Sequence, residues 1–193
     1  MTSLKIDFCS YEAAKYACLN FHYSKAVPSG KLVKFGVWED GNWVGSILYG
    51  LGATPDLNKL LDVKNTQICE LVRVALTKHK IEVTRMIAIT IRMLKKSNPG
   101  LKAIVSYADT DQGHSGGIYK GGNWYYSKKI VRGHLSIKGK TYHPRSVYAK
   151  YGTQSLKWLR CNIDKNAKYT TTKGKHRFIY FLDKELGNKY GAC

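Results

Sequence analysis

Acidic residues are scarce in this chain. Thirteen Asp+Glu stand against thirty-two Lys+Arg in 193 residues, a formal charge of +19. Such an excess repels itself in a compact fold unless a polyanion is near, which makes nucleic acid the first partner to consider. No apolar run approaches ~18 residues, so no membrane-spanning helix is expected. No basic amphipathic helix stands out either, which argues against a membrane surface as the partner. The opening Met1–Asp7 lacks the apolar stretch of a signal peptide, and a cytoplasmic setting is expected. Five cysteines (Cys9, Cys18, Cys69, Cys161, Cys193) are odd in number and form no CxxC pair. This argues against a zinc ribbon or a disulfide framework. The sequence also lacks GxxxxGK[ST], GxGxxG and HExxH, so the common phosphate-loop, dinucleotide and zinc-protease readings have no motif to stand on.

What is present is an apolar fraction of 44%, with 12% aromatic, enough to bury a real core. The charge is unevenly placed. From Lys128 to Arg177 there are fourteen Lys/Arg and one acid, Asp164, interleaved with Tyr142, Tyr148, Tyr151, Trp158 and Tyr169. A merely solubilising basic surface would not require that concentration. One domain is expected over residues 1–193, with a core over 1–127 and a basic, aromatic-rich, DNA-binding elaboration over 128–193.

Leu4–Phe8 alternates as a strand, and Ser10 suits the N-cap of a helix carrying Tyr11, Ala14, Cys18 and Phe21 on one face. Leu32–Trp38 and Trp43–Tyr49 form a hairpin turning through Asp40-Gly41. Ile68–Leu76 reads as a buried strand. Val83, Ile87, Ile91 and Leu94 make a helical stripe that Asn98-Pro99-Gly100 stops. Ala103–Tyr107 is a further strand, and the glycine-rich 113–122 a loop with at most a short helix. Trp124–Tyr126 is a strand, Ser136–His143 a second hairpin, Thr153 the cap of a helix reaching Arg160, and Arg177–Leu182 a closing strand. The expected class is α/β, a mixed and mostly antiparallel central sheet flanked by helices. Its element order resembles the GCN5-related acyltransferase (GNAT) arrangement.

The densest polar cluster is Ser106-Tyr107-Ala108-Asp109-Thr110-Asp111-Gln112-Gly113-His114, just past an apolar strand, where α/β folds place ligands. Two carboxylates and a histidine within it suit acid/base work or a metal. In Cys69–Leu76, alternation puts Glu70, Val72 and Val74 on one face and Leu71, Arg73 and Ala75 on the other. A buried Arg there calls for a carboxylate or an anionic ligand, and Asp109 is the expected partner. His22-Tyr23 follows the first helix; by itself it reads as structural. The segment Thr77–Glu82 lacks the glycines of the Gln/Arg-x-x-Gly-x-Gly/Ala pyrophosphate loop carried by ordinary acetyl-CoA-binding GNAT proteins.

Several strings together resemble the Mom family of phage DNA-modification proteins: Cys69–Val74, Ser106–Asp109, Gly113–Tyr119, Asn123-Trp124, His143–Ser146, Tyr151–Leu159 and Lys175–Tyr180. The resemblance runs from His22-Tyr23 to about Leu182. It implies a GNAT-like transferase that converts adenine in DNA to its carbamoylmethyl derivative at the exocyclic amino group, protecting phage DNA from host restriction. It implies catalytic roles for His22, Tyr23, Arg73, Asp109 and Tyr119. Substrate contacts are expected from Ser106, His114, Asn123, Trp124, Lys138, Lys140, Arg145, Lys157 and Arg177. The partner is double-stranded DNA, with no membrane, and the setting is the host cell cytoplasm. The donor is left open between an acyl-CoA and an aminoacyl or glycine-derived group. Iron is a second candidate cofactor, with His22, Asp109 and His114 as its candidate ligands. Two other readings stand beside this one: a metal-dependent nuclease and a non-enzymatic DNA-binding protein.

Overall fold

The computed structural model describes residues 2–52 and 57–191. The chain divides into two compact units. The larger comprises 1–106, 116–127 and 178–193; the smaller comprises 107–115 and 128–177. These differ from a 1–127/128–193 division in two places: Tyr107–Ser115 goes with the basic segment, and the C-terminal stretch from Phe178 returns to the larger unit.

The elements of the larger unit begin with β1 (Leu4–Phe8) and α1 (Tyr11–Asn20). The Ser10 hydroxyl accepts the Ala13 N–H at 3.1 Å and caps α1. The buried face of α1 is Ala14, Ala17 and Cys18. Tyr11, expected on that face, is half exposed. Small residues let the helix lie close to the sheet, where Leu48 and Val72 complete the cluster. The hairpin is β2 (Leu32–Glu39) and β3 (Asn42–Gly50), turning through Asp40-Gly41, both at positive φ. β4 (Ile68–Leu76) and α2 (Val83–Ser97) follow. α2 buries Met86, Ile87, Thr90, Ile91 and Leu94, the periodic stripe expected of a core-facing helix.

β5 (Ala103–Asp109) runs two residues further than its apolar run, so Asp109 sits on the strand end itself. A short α3 (Gly117–Lys120) lies within the glycine-rich segment. β6 (Tyr125–Ile130) comes next. The smaller unit then contributes β7 (Gly133–Ile137), β8 (Lys140–Tyr142), α4 (Pro144–Tyr151), α5 (Leu156–Asn162) and β9 (Lys168–Thr171). β10 (Lys175–Phe181) and α6 (Lys184–Gly191) close the chain. Thr153 does not cap α5; the Ser155 hydroxyl does, accepting the Trp158 N–H at 3.3 Å.

The seven-stranded sheet has the order β1-β2-β3-β4-β5-β10-β6. β1 to β4 pair antiparallel and β4 pairs parallel with β5. The mostly antiparallel mixed sheet flanked by helices is therefore present as expected. Its β4 departs from simple alternation. Opposite it, Leu48 pairs with Arg73 and Tyr49 with Leu71, so Val72 is an extra, bulged residue. A bulge breaks the period of two, and Leu71 and Val72 are in consequence both buried.

The smaller unit has its own three-stranded sheet, β8-β7-β9, and its own core. Leu135, Ile137, Val147, Leu159 and Ala167 are all but fully buried, with Tyr142, Tyr151, Leu156 and Ile163 packed around them.

Candidate active site

In the larger unit, Ser106 on β5 and Tyr119 on α3 form a buried hydroxyl pair, 1% and 6% exposed. The Ser106 hydroxyl donates to the Leu71 carbonyl at 2.9 Å. Its single hydrogen is thereby used, so in the 2.8 Å bond with Tyr119 the phenol is the donor. Burial pushes the Tyr119 phenol up to about 12; the Ser106 bond opposes this, and the nearby Tyr23 and Glu70 reinforce it. Tyr119 is therefore a neutral proton donor near pH 7, not a base. Its ring stacks on Phe178 at 4.9 Å and meets Trp124 edge-on at 5.2 Å. Gly116, at φ +81°, lets Phe178 approach so closely that a Cβ there would collide with the ring.

Trp124, expected to contact substrate, is 6% exposed, and its ring lies against Tyr119 and Tyr180. It supports Tyr119 from behind instead of offering a stacking face. Asn123 is the exposed turn residue beside it, at φ +58°.

Arg73 donates from a terminal guanidinium nitrogen to the Val72 carbonyl at 2.7 Å, and its Nε is buried without a hydrogen-bond partner. A buried guanidinium donor left unmatched costs free energy in the absence of an anion. The guanidinium also lowers the pKa of the nearby Cys18 thiol, against a larger upward push from burial. Cys69 is pushed up to about 12 by burial and by Glu70, which rules it out as a thiolate nucleophile. The Glu70 carboxylate lies over Gly52, where a Cβ would overlap it. Alternation alone gave Glu70 no distinguishing partner and did not show that its charge bears on Cys69 and Tyr119.

His22 sits in the turn after α1. Its Nδ1 accepts the Ser24 N–H at 3.1 Å and lies 2.8 Å from the Ser24 hydroxyl. An accepting Nδ1 puts the proton of the neutral ring on Nε2. The rings of His22 and Tyr23 lie 4.2 Å apart, and Tyr23 is 44% exposed.

In the smaller unit, the Asp109 carboxylate pairs with Lys175 at 2.9 Å and accepts the Asp111 N–H at 3.1 Å. Within this unit the partner of Asp109 comes from β10, whose place beside β5 could not be read from local pattern. Asp111 accepts the Lys173 N–H, and Thr110 donates its hydroxyl to the Gly174 carbonyl. The His114 N–H donates to the Asp109 carbonyl, so the loop carrying the carboxylates folds on itself.

Lys138, Lys140, Arg145 and Lys157 are all exposed in this unit, and Arg177 is half-buried. The Lys138 turn is anchored by its N–H to Asp164 at 2.6 Å. His143 caps α4, its Nδ1 accepting the Arg145 N–H at 3.1 Å. Burial holds its pKa below the usual histidine value, and His134, Arg145 and Arg132 add to the effect. Tyr148, Trp158 and Tyr169 are at least 40% exposed.

Among the described residues, no three of His, Cys, Asp or Glu come together where a metal could be held. Of the three candidate iron ligands, His22 belongs to the larger unit, and Asp109 and His114 to the smaller. Cys193 lies outside the described residues; the other four cysteines are free thiols. No described helix is long and apolar enough to cross a membrane.

Comparison with known proteins matches residues 3–191 to the model of the Mom protein family. The methylcarbamoylase mom of Escherichia phage Mu is 23% identical over 186 residues, covering 94% of this chain and 76% of that protein. Among solved structures, a putative acetyltransferase from Acinetobacter baylyi ADP1 superposes with a TM-score of 0.54 at 11% identity, covering 94% of this chain and 93% of the other. The aminoglycoside acetyltransferase AAC(6')-Ib in complex with coenzyme A and kanamycin gives 0.53 at 6% identity, covering 98% of this chain and 100% of that one. These likenesses establish the acetyltransferase fold.

Proposed function

The chain belongs to the Mom protein family, and from that premise we propose that it is a transferase that modifies adenine in phage DNA, placing a carbamoylmethyl group on the exocyclic amino nitrogen. In that reaction one N–H bond of the amino group and the bond from the donor's CH2 carbon to its leaving group break, an N–CH2 bond forms, and the proton lost from nitrogen balances the one the leaving group takes up. The product would shield phage DNA from restriction enzymes within the host cytoplasm.

The observation that carries the reading is the buried Ser106–Tyr119 pair, which holds a neutral phenol with its one hydrogen on Ser106. In the proposed mechanism Tyr119 turns that hydrogen from Ser106 to the departing part of the donor. Arg73, with an Nε still unmatched, binds an anionic group of the donor. Asp109 accepts from the adenine amino group, held in place by Lys175 and by the Asp111 amide. His22 presents Nε2–H, and Tyr23 offers an exposed ring.

Adenine inside a duplex hides its amino group, so the base must leave the stack. The smaller unit suits that demand: exposed cations such as Lys138, Lys140, Arg145 and Lys157 for phosphates, and exposed Tyr148, Trp158 and Tyr169 for stacking. The nuclease reading has no assembled metal-ligand set among the described residues to support it. The basic unit alone would also suit a non-enzymatic DNA-binding protein.

Nucleosides from DNA of cells expressing the chain, analysed by mass spectrometry, test the proposal. The expected result is deoxyadenosine carrying one carbamoylmethyl group in place of a hydrogen. Unmodified DNA with a bound protein would favour the non-enzymatic reading, and nicked DNA the nuclease.

A further inference from the structure

Past Leu76 the chain turns through residues 77–82 into α2, a helix of 15 residues. A strand-to-helix turn of this kind is a ready-made anion site, because its free amides and the positive end of the helix dipole point the same way. An acyl-CoA, the donor implied by the fold, would present its pyrophosphate to such a turn. Here two of the turn's amides are already spent. The Lys80 N–H donates to one oxygen of Glu39 at 2.9 Å, and the Ile81 N–H donates to the other at 2.8 Å. The N-cap residue Glu82 makes no side-chain cap of its own. Glu39 therefore supplies from β2 the anion that the turn would otherwise take from a ligand.

Glu39 is well placed to be permanent. It is 7% exposed. It ends β2, paired with Leu4 on one side and Asn42 on the other. The next residue, Asp40, is tied to β1 through Ser3: its carboxylate accepts the Ser3 N–H at 2.7 Å, and its own N–H donates to the Ser3 carbonyl. A phosphate entering the turn would strip a buried carboxylate of both donors and set like charges together. No glycine in 77–82 would ease close approach of a ligand to the backbone. The Lys78 and Lys80 side chains are exposed, so they offer point charges in water without a shaped cradle.

We infer that Glu39 is a specificity-determining residue: an internal carboxylate that fills the anion site at the start of α2 and excludes coenzyme A and other pyrophosphate-bearing donors from it. The donor class left is one recognised without a pyrophosphate in this turn. Among the described residues of the larger unit, the Arg73 Nε is buried and still short of a hydrogen-bond acceptor.

The inference rests on the transferase reading only for the identity of the excluded ligand. Its test needs no DNA, so it succeeds or fails separately from the nucleoside analysis. Coenzyme A and inorganic pyrophosphate are titrated into the full-length protein by calorimetry, with the amide signals of Lys80 and Ile81 followed by NMR. Wild-type protein is expected to show no saturable binding and no movement of those two signals. Glu39→Ala is expected to bind pyrophosphate at least about tenfold more tightly than wild type, with both signals shifting. Saturable binding of coenzyme A to wild type that moves Lys80 and Ile81 overturns the inference. So does a folded Glu39→Ala protein that binds pyrophosphate no better than wild type. Should Glu39→Ala fail to fold, the wild-type titration alone decides, with Glu39→Gln as the shape-preserving control that removes the charge.

Discussion

The larger unit carries eighteen Lys/Arg and ten Asp/Glu, the smaller fourteen and three. Their interiors differ as sharply. The buried polar and charged residues among those described (Glu39, Ser46, Thr90 and Ser106) all belong to the larger unit. Two of them hold tyrosines: Tyr119 donates to Ser106, and Tyr49 donates to Thr90, whose own hydrogen goes to the Ile87 carbonyl. The buried cluster of the smaller unit is aliphatic, and many of its lysines and arginines are exposed. Hydrogen bonds in a dry interior are stronger and hold one geometry. Exposed cations remain free to follow a flexible polyanion. The larger unit thus has a polar, hydrogen-bonded interior, and the smaller an aliphatic core beneath a basic surface.

The largest expected effect comes from removing one buried donor. Tyr119→Phe keeps the ring packed on Phe178 but leaves no phenolic proton, and should slow adenine modification by about 10²–10⁴-fold, the usual worth of a proton donor. DNA affinity in a binding assay should stay unchanged. A parallel loss of binding would break the division of labour between the units.

The next effect is on the stability of the smaller unit. Leu135 is fully buried on β7. Leu135→Ala should cost about 2–5 kcal/mol, from reduced burial and the cavity left behind. Denaturant unfolding measures the loss, and DNA affinity should fall with it.

A subtler change is expected from the surface. Neutralising Lys138, Lys140 and Arg145 together should weaken binding to all DNA sequences alike. The salt slope of binding should fall by roughly 0.9 for each phosphate that the variant no longer neutralises. An unchanged slope would move the DNA footprint elsewhere.

The smallest effect concerns pH. Folding lowers the pKa of His143 from its ordinary 6.5, because burial and neighbouring cations disfavour the charged ring that α4 uses as a neutral cap. The unfolded chain then takes up the proton more readily than the folded one. The stabilisation is complete above 6.5 and is lost as pH falls through the lower folded value. Melting temperature should drop between neutral pH and about pH 5. In His143→Asn, which can still cap, that part of the drop should vanish, a difference within the roughly 1 kcal/mol worth of a cap.

Elements with strong local signals matched their residues closely. β4 and α2 were readable from apolar periodicity, and the β2–β3 turn from Asp40-Gly41. The elements that escaped notice lack such signals. α4 buries only Val147 in eight residues, and β9 is a mostly exposed Lys-Tyr-Thr-Thr that exists because it pairs with β7. The site divides in the same way. Ser106, Asp109 and Tyr119 could be named as candidates from local chemistry and from resemblance. The partners Leu71, Lys175 and Phe178, and the seat of Glu39 on the Lys80 and Ile81 amides, could not.

By itself the sequence determined the class of the fold, the basic segment over Lys128–Arg177 and the candidate residues worth testing, because period, turn chemistry and charge are local properties of the chain. Which group each polar atom meets was decided only in three dimensions. Asp109 met Lys175, Arg73 kept an unmatched nitrogen, and Glu39 took the amide of Lys80, 41 residues away. Such pairings depend on strand order and on a one-residue bulge at Val72. A single extra residue reverses which face every later side chain occupies, and no local pattern records it.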